Sequence, residues 1–214
     1  MNAAKLTYVE VDFARGGART AENFAAVMGY ASPPEQEADV SVGTRRLLEH
    51  VVPHDRPSVE AALQDFLGGK IVGKIEYRVL GDDQIERWIE SAWSIEFDPS
   101  GQPLKTFATN LDITERKRAT EALRESEERY RTLFTSMDEG YCIMEMLFDE
   151  HDKPVDYRFL EVNPSFEQQC GLHNATGKRI REFYPNLEDY WFELYGKVAL
   201  TGEPVRYVNE AKTM

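Results

Sequence analysis

Apolar and polar positions change their period several times along the chain. Leu6–Phe13 alternates as LTYVEVDF, the pattern of a half-buried strand, and Gly16-Gly17 then turns the chain. Ala21–Met28 has the spacing of a short helix, with Thr20 as its N-cap and Gly29 just past its end, before Pro33-Pro34. Ser41–Val51 and Pro57–Leu67 read as helices, the second closed by Gly68-Gly69. Three strand runs follow. Gly73–Leu80 alternates Ile75, Tyr77 and Val79; Glu86–Phe97 sets Ile89, Trp93, Ile95 and Phe97 on one face; Leu104–Leu111 sets Phe107, Thr109 and Leu111 on one face. Gly81-Asp82-Asp83 and Pro99-Ser100-Gly101 supply the turns between them.

The period then changes sharply. Asp112–Phe134, DITERKRATEALRESEERYRTLF, has neither Gly nor Pro, and its acids and bases interleave at i,i+4, as in Arg124 with Glu128. Asp112 and Glu115 have the spacing of a capping box. A long helix is predicted, charged on most faces. Its apolar residues form a thin line through Ile113, Thr120, Leu123, Tyr130 and Phe134, with polar Glu127 among them. That spacing suits the seam of a short, weak parallel coiled coil, with a single helix bridging two domains through solvent as the alternative.

Beyond it the order of elements starts again. Tyr141–Phe148 and Val155–Val162 read as strands about a turn at Glu150–Pro154, and Pro164–Cys170 as a short helix ended by Gly171. Ile180–Phe183 and Leu187–Leu200 are helical, and Val205–Asn209 starts a strand. FAAVMGY (24–30) parallels FEQQCGL (166–172), and Gly69 parallels Gly202. Too few residues follow Gly202 for the two strands that close the first copy, so the second copy is expected to be truncated at its last strands. The predicted organisation is a first domain over 1–111, a linker helix over 112–134 and a second, incomplete domain over 135–214.

Composition narrows the function classes. The formal net charge is −13 over 214 residues, which disfavours binding to nucleic acid. No run approaches the roughly 20 apolar residues of a membrane span, and the N-terminus lacks the apolar core of a secretion signal, so a cytoplasmic location is expected. Cys142 and Cys170 are too few for a disulfide framework or a zinc knuckle. There is no P-loop, H-E-x-x-H or G-x-S-x-G, and His50, His54, His151 and His173 form no catalytic or metal-binding spacing. The segment is therefore expected to be non-enzymatic.

The ordered pieces resemble a known family. VVPHDR (51–56), EYRV (76–79), RWIE (87–90), DPSGQP (98–103) and above all LDITERKRA (111–119) are similar to successive elements of a PAS domain with its closing PAC motif. SEERYRTLFTSMDEGYCIMEM (126–146), EVNPSFEQQCGL (161–172) and ATGKRIREFYP (175–185) look like the entry, strand-to-helix segment and following loop of a second one. The resemblance implies an α+β architecture: two tandem PAS folds, each a five-stranded antiparallel sheet with short helices on one face, joined by the linker helix. It also implies a homodimeric sensory region upstream of a transmitter, most often a histidine kinase feeding a response regulator. The alternatives are the sensor of a diguanylate cyclase or a ligand-free interaction scaffold. The parent protein would then be a protein-histidine kinase.

Within that frame, Asp112, Ile113 and Thr114 are expected to pass strand movement into the helix, and Thr120, Leu123, Glu127, Tyr130 and Phe134 to form the dimer seam. Haem is not expected, because the long helices Ser58–Leu67 and Leu187–Leu200 carry no His. Flavin of the light-oxygen-voltage type is not expected either, because neither Cys142 nor Cys170 sits in the reactive motif. The aromatics of the last helix allow two readings. Trp191, Leu194, Tyr195 and Val198 pack on the sheet as core, or Met144, Met146, Phe159, Trp191 and Tyr195 line a small-molecule pocket in the second unit.

Overall fold

The computed structural model describes residues 5–32, 40–67 and 71–206. The chain divides into two compact units, Met1–Leu123 and Arg124–Met214.

The first unit runs β1 (Leu6–Asp12), β2 (Gly17–Thr20), α1 (Phe24–Met28), α2 (Val40–His50), α3 (Arg56–Leu67), β3 (Val72–Leu80), β4 (Glu86–Phe97) and β5 (Pro103–Asp112). All five strands join one antiparallel sheet in the order β2-β1-β5-β4-β3. The turns close as their residues dictate. The Asp98 carboxylate accepts from the Ser100 and Gln102 N–H groups at 2.8 and 2.9 Å, and Gly101 takes the left-handed φ of 84° that completes the reversal. In the β3–β4 turn Asp83 accepts from Ile85 N–H at 3.1 Å and is gripped by the Arg87 guanidinium at 2.9 and 2.5 Å, which holds its pKa down at about 2.

Three local expectations differ from the structure, and the face of β5 that carries Phe107, Thr109 and Leu111 is the outer one. β2 has no apolar alternation to announce it; it exists because Val9–Asp12 pair its backbone. That takes Thr20 into a strand, so α1 begins after Asn23, whose amide donates to Leu6 O at 2.9 Å instead of capping. A register shift between Glu96 and Phe97 turns Phe97 outward to 37% exposure, off the face of Ile89 and Ile95. Along β5, Phe107 lies on the outer surface at 44% exposure, stacked on Tyr8 at 5.5 Å, while Thr106 and Asn110 are buried on the inner face.

The inner face packs against α1, α2 and α3 around Met28, Val51, Val59, Tyr77, Val79 and Ile89. One clamp fixes the start of α3 to β3. Asp55 accepts from the Arg78 backbone N–H and Nε, both at 2.9 Å, and from Nη2 at 2.7 Å. These bonds hold its carboxyl below the ordinary range.

Helix α4 (Thr114–Ser136) contains the boundary between the two units. The capping box is not made. Asp112 accepts from Thr114 N–H at 2.8 Å, its own N–H donates to Lys5 O at 2.9 Å, and Glu115 pairs with Lys5. The chain entering β1 therefore supplies the partner that the box would have used.

The second unit continues with β6 (Cys142–Phe148), β7 (Pro154–Val162), α5 (Pro164–Cys170), α6 (Ile180–Phe183) and α7 (Asp189–Thr201). β6 and β7 pair antiparallel as a two-stranded sheet. Asn163, fully buried, organises the entry to α5: Oδ1 accepts from Tyr141 and Phe166 N–H, both at 2.8 Å, and Nδ2 donates to Glu139 O at 2.8 Å. Gly29 and Gly171 both end their short helices in the left-handed region, as the parallel between the two copies requires; Gly69 lies outside the described residues. α7 buries Phe192 and Gly196 most deeply, and Pro154 lies where a Cβ on Gly196 would sit. Of the expected face of Trp191, Leu194, Tyr195 and Val198, Tyr195 packs against the core cluster beside Phe192. Val205 and Arg206 have no regular structure, and Tyr207–Asn209 lie outside the described residues.

Candidate functional site: a cavity and the junction below it

A cavity of about 230 Å³ lies between the inner face of the first sheet and α1–α3. Its existence follows from the sequence of the walls. β5 contributes Thr106, Ala108 and Asn110, and α3 contributes Ala62, all small or short. β3 has Gly73 opposite Trp93, and a Cβ on Gly73 would fall on the indole ring. The missing side chain gives the indole its place, with Phe66 edge-on at 6.3 Å.

The wall is mainly hydrocarbon, with one polar chain crossing it. Ser91 Oγ donates to Asn110 Oδ1 at 2.5 Å, so its one hydrogen is used and the Tyr77 hydroxyl donates to Ser91 at 2.9 Å. Burial pushes the Tyr77 phenol up to about 12, against the Ser91 bond, so it stays protonated across the neutral range. The Trp93 indole N–H and the Thr7 hydroxyl are buried and have no partner among the described residues.

At one side stand Tyr30, Arg46 and His50. Arg46 lies over the Tyr30 ring, 4.8 Å from its centroid, and donates to Ser32 O at 2.9 Å. His50 contacts Arg46 O at 2.8 Å and Asp82 at 3.0 Å, tying α2 to the β3–β4 turn.

The cavity walls continue directly into the junction with α4. Asn110 is two residues from Asp112. Ile113, 3% exposed, donates its N–H to Trp88 O at 2.8 Å, and Thr114 Oγ1 accepts from Trp88 N–H at 2.9 Å. Lys117 lies 4.7 Å from the Trp88 ring and pairs with Glu76 at 2.6 Å, while Arg116 reaches Glu76 and Glu90 at 3.1 and 2.9 Å. The first turns of α4 are thus fixed to β3 and β4 as well as to β5. Asp112, Ile113 and Thr114 sit together here.

The residues expected to form a pocket in the second unit lie in and around its core. Phe159 is 1% exposed, Met144, Met146 and Tyr195 pack against the same cluster, and Tyr195 meets Tyr157 edge-on at 5.6 Å. Trp191 lies 6.0 Å from Tyr195 and donates to Glu188 at 3.2 Å. The 230 Å³ cavity belongs to the other unit, where the run of short residues Thr106, Ala108 and Asn110 on one face of β5 is the signal that could have found it. Burial pushes the Cys142 thiol up to about 11 and raises Cys170 as well, so neither is poised as a nucleophile.

Along the expected seam, Leu123 is 61% exposed and Glu127 is exposed, while the Thr120 hydroxyl donates back to Arg116 O at 2.9 Å. Tyr130 donates to Glu161 at 2.6 Å, and Phe134 is half-buried between Tyr130 and Tyr141. Among the described residues no helix is long and apolar enough to cross a membrane.

Comparison with known proteins gives the same division. Residues 19–110 match the PAS fold, and residues 128–203 match the PAS domain. The protein named Probable diguanylate cyclase DgcE, from Escherichia coli strain K12, is 30% identical over 98 residues. That stretch is 46% of this chain and 9% of the length of that protein. A sensory box histidine kinase/response regulator from Burkholderia thailandensis E264 is 29% identical, covering 61% of this chain and 93% of that one, with a TM-score of 0.46. The N-terminal domain of a diguanylate cyclase with PAS/PAC sensor from Marinobacter aquaeolei is 17% identical, covering 53% and 99%, with a TM-score of 0.43. The two family matches fall in succession on the two compact units, and the chain belongs to the PAS family, carrying two PAS domains in tandem.

Proposed function

We propose that the chain is the sensory and dimerising region of a signal-transduction protein, in which the first PAS domain receives a small molecule and α4 carries the response onward. The observation behind this reading is the continuity between cavity and helix. Ser91 and Asn110 line the cavity, and the same two strands carry Trp88 and Asp112, which bond the first turn of α4. A ligand that moves β4 against β5 shifts both attachments at once. Two arrangements of such a junction need differ by only a few kcal/mol for a ligand to select between them.

The output is a transmitter in the same parent chain, a cytoplasmic histidine kinase acting through a response regulator. A second reading makes it a diguanylate cyclase, favoured by the 30% identity to the cyclase of Escherichia coli. Pairing of two chains uses the exposed Leu123 stretch of α4. Leu123→Asp then turns a dimer into a monomer by light scattering, and a variant that stays dimeric moves the interface elsewhere.

Hydrogen exchange read by mass spectrometry tests the relay. Filling the cavity with Ala108→Leu slows exchange in β4 and β5 and changes it at residues 113–118. Adding Thr114→Val, which keeps the shape but removes the acceptor of the Trp88 N–H, confines the change to the sheet. A helix start that never responds to the filled cavity sinks the relay.

A further inference from the structure

The chemistry of the cavity names a class of occupant. Among the described residues its lining contains one charged residue, Arg46, and no Asp or Glu. Arg46 has no carboxylate within ion-pair distance among the described residues; Asp82, the acid that feels its charge, bonds His50 and the Ala31 N–H instead. One guanidinium nitrogen is used on Ser32 O, and the plane rests on Tyr30, which leaves further N–H donors in a fixed fork. An apolar space with an unmatched guanidinium at one side is complementary to an apolar body with an anionic end.

Size sets the body. A cavity of about 150 Å³ takes benzene, so one of about 230 Å³ takes roughly ten non-hydrogen atoms. Resting on the sensory reading above, we propose that the first PAS domain binds a small amphiphilic monocarboxylate, with its chain or ring among Ile75, Trp93 and Ala108 and its carboxylate on Arg46. The formal charge of −13 gives the protein as a whole no preference for anions, so any preference for a carboxylate over a neutral isostere arises locally.

The test titrates the full 214-residue chain by calorimetry with octanoate and with octanamide, which has the same shape and no charge. Octanoate is expected to bind roughly ten- to a hundredfold more tightly, the range of a charge-assisted bond. Arg46→Gln brings the two probes to equal affinity, and Arg46→Lys restores part of the difference. Ala108→Leu, which occupies the space without touching Arg46, removes both. Equal affinity of the two probes for the unmodified chain overturns the carboxylate proposal and leaves the cavity as a receptor for neutral molecules. Binding of neither probe overturns both the carboxylate proposal and the reading of this cavity as the receiving site. Should Arg46→Gln fail to fold, the octanoate-to-octanamide ratio of the unmodified chain decides alone.

Discussion

Replacing Ala108 by leucine asks whether the space behind β5 is real. Ala108 lies in register between Val9 on β1 and Trp93 on β4, and its methyl group faces the cavity. The substitution adds three carbons to a wall that has room for them. At about 0.8 kcal/mol for each buried methylene the gain is at most about 2.4 kcal/mol. Ordering a leucine side chain costs about 0.5–1 kcal/mol, so the net stabilisation is about 1.5 kcal/mol. At roughly 4 °C per kcal/mol for a unit of this size, the first unit melts about 6 °C higher. Differential scanning calorimetry of the full chain reads this, and only the transition of the first unit is expected to move. A transition that falls by several degrees refutes the reasoning. It would mean that the introduced leucine overpacks a site already filled by its neighbours, an error that typically costs about 1–3 kcal/mol.

Two further outcomes follow from the polar contacts. Asn163→Ala removes a cap and strands the Tyr141 N–H and Glu139 carbonyl, so the second unit loses about 2–4 kcal/mol in thermal or urea unfolding while the first is unchanged; a loss below about 1 kcal/mol contradicts the buried network. The carboxyl of Asp55 is held below its unfolded value by Arg78, so its stabilisation is complete above about pH 4–5 and is lost as pH falls through the lowered folded value. Asp55→Asn therefore melts earlier than the unmodified chain at about pH 6.5 and by a shrinking margin toward about pH 3, and a constant margin across that range would falsify the assignment.

The sequence carried some of these features openly and hid others, for physical reasons. β3 and β4 were legible because long runs of alternation meet turns whose Asp and Gly residues have no other use there. The long α4 was legible from its charge pairing, and Asp112–Thr114 from the family motif. β2 was not legible: Gly17, Ala18, Arg19 and Thr20 have no periodic signal, and the strand is set by its neighbour. The cavity was hidden for a related reason. It is assembled from α1, α2, α3 and all five strands, each contributing a few residues that look like ordinary core when read alone.

β5 shows why periodicity pointed elsewhere. The apolar-in rule reads the strand by its large residues, Phe107 and Leu111, and these lie on the outer face. A cavity wall inverts the rule, because space is left where side chains are short: Thr106, Ala108 and Asn110. The large aromatics that would normally fill such a gap, Tyr77 and Trp93, stand on β3 and β4, one held by a hydrogen-bond chain and the other seated over a glycine. The small face of β5 and the start of α4 are then successive parts of one strand, with Asn110 in the wall and Asp112 at the helix. A binding event on this face has a short covalent path to the helix, and the Trp88 bonds give it a second one through β4. Cutting either path alone should weaken the coupling without emptying the cavity, which separates a relay from a pocket that only happens to lie nearby.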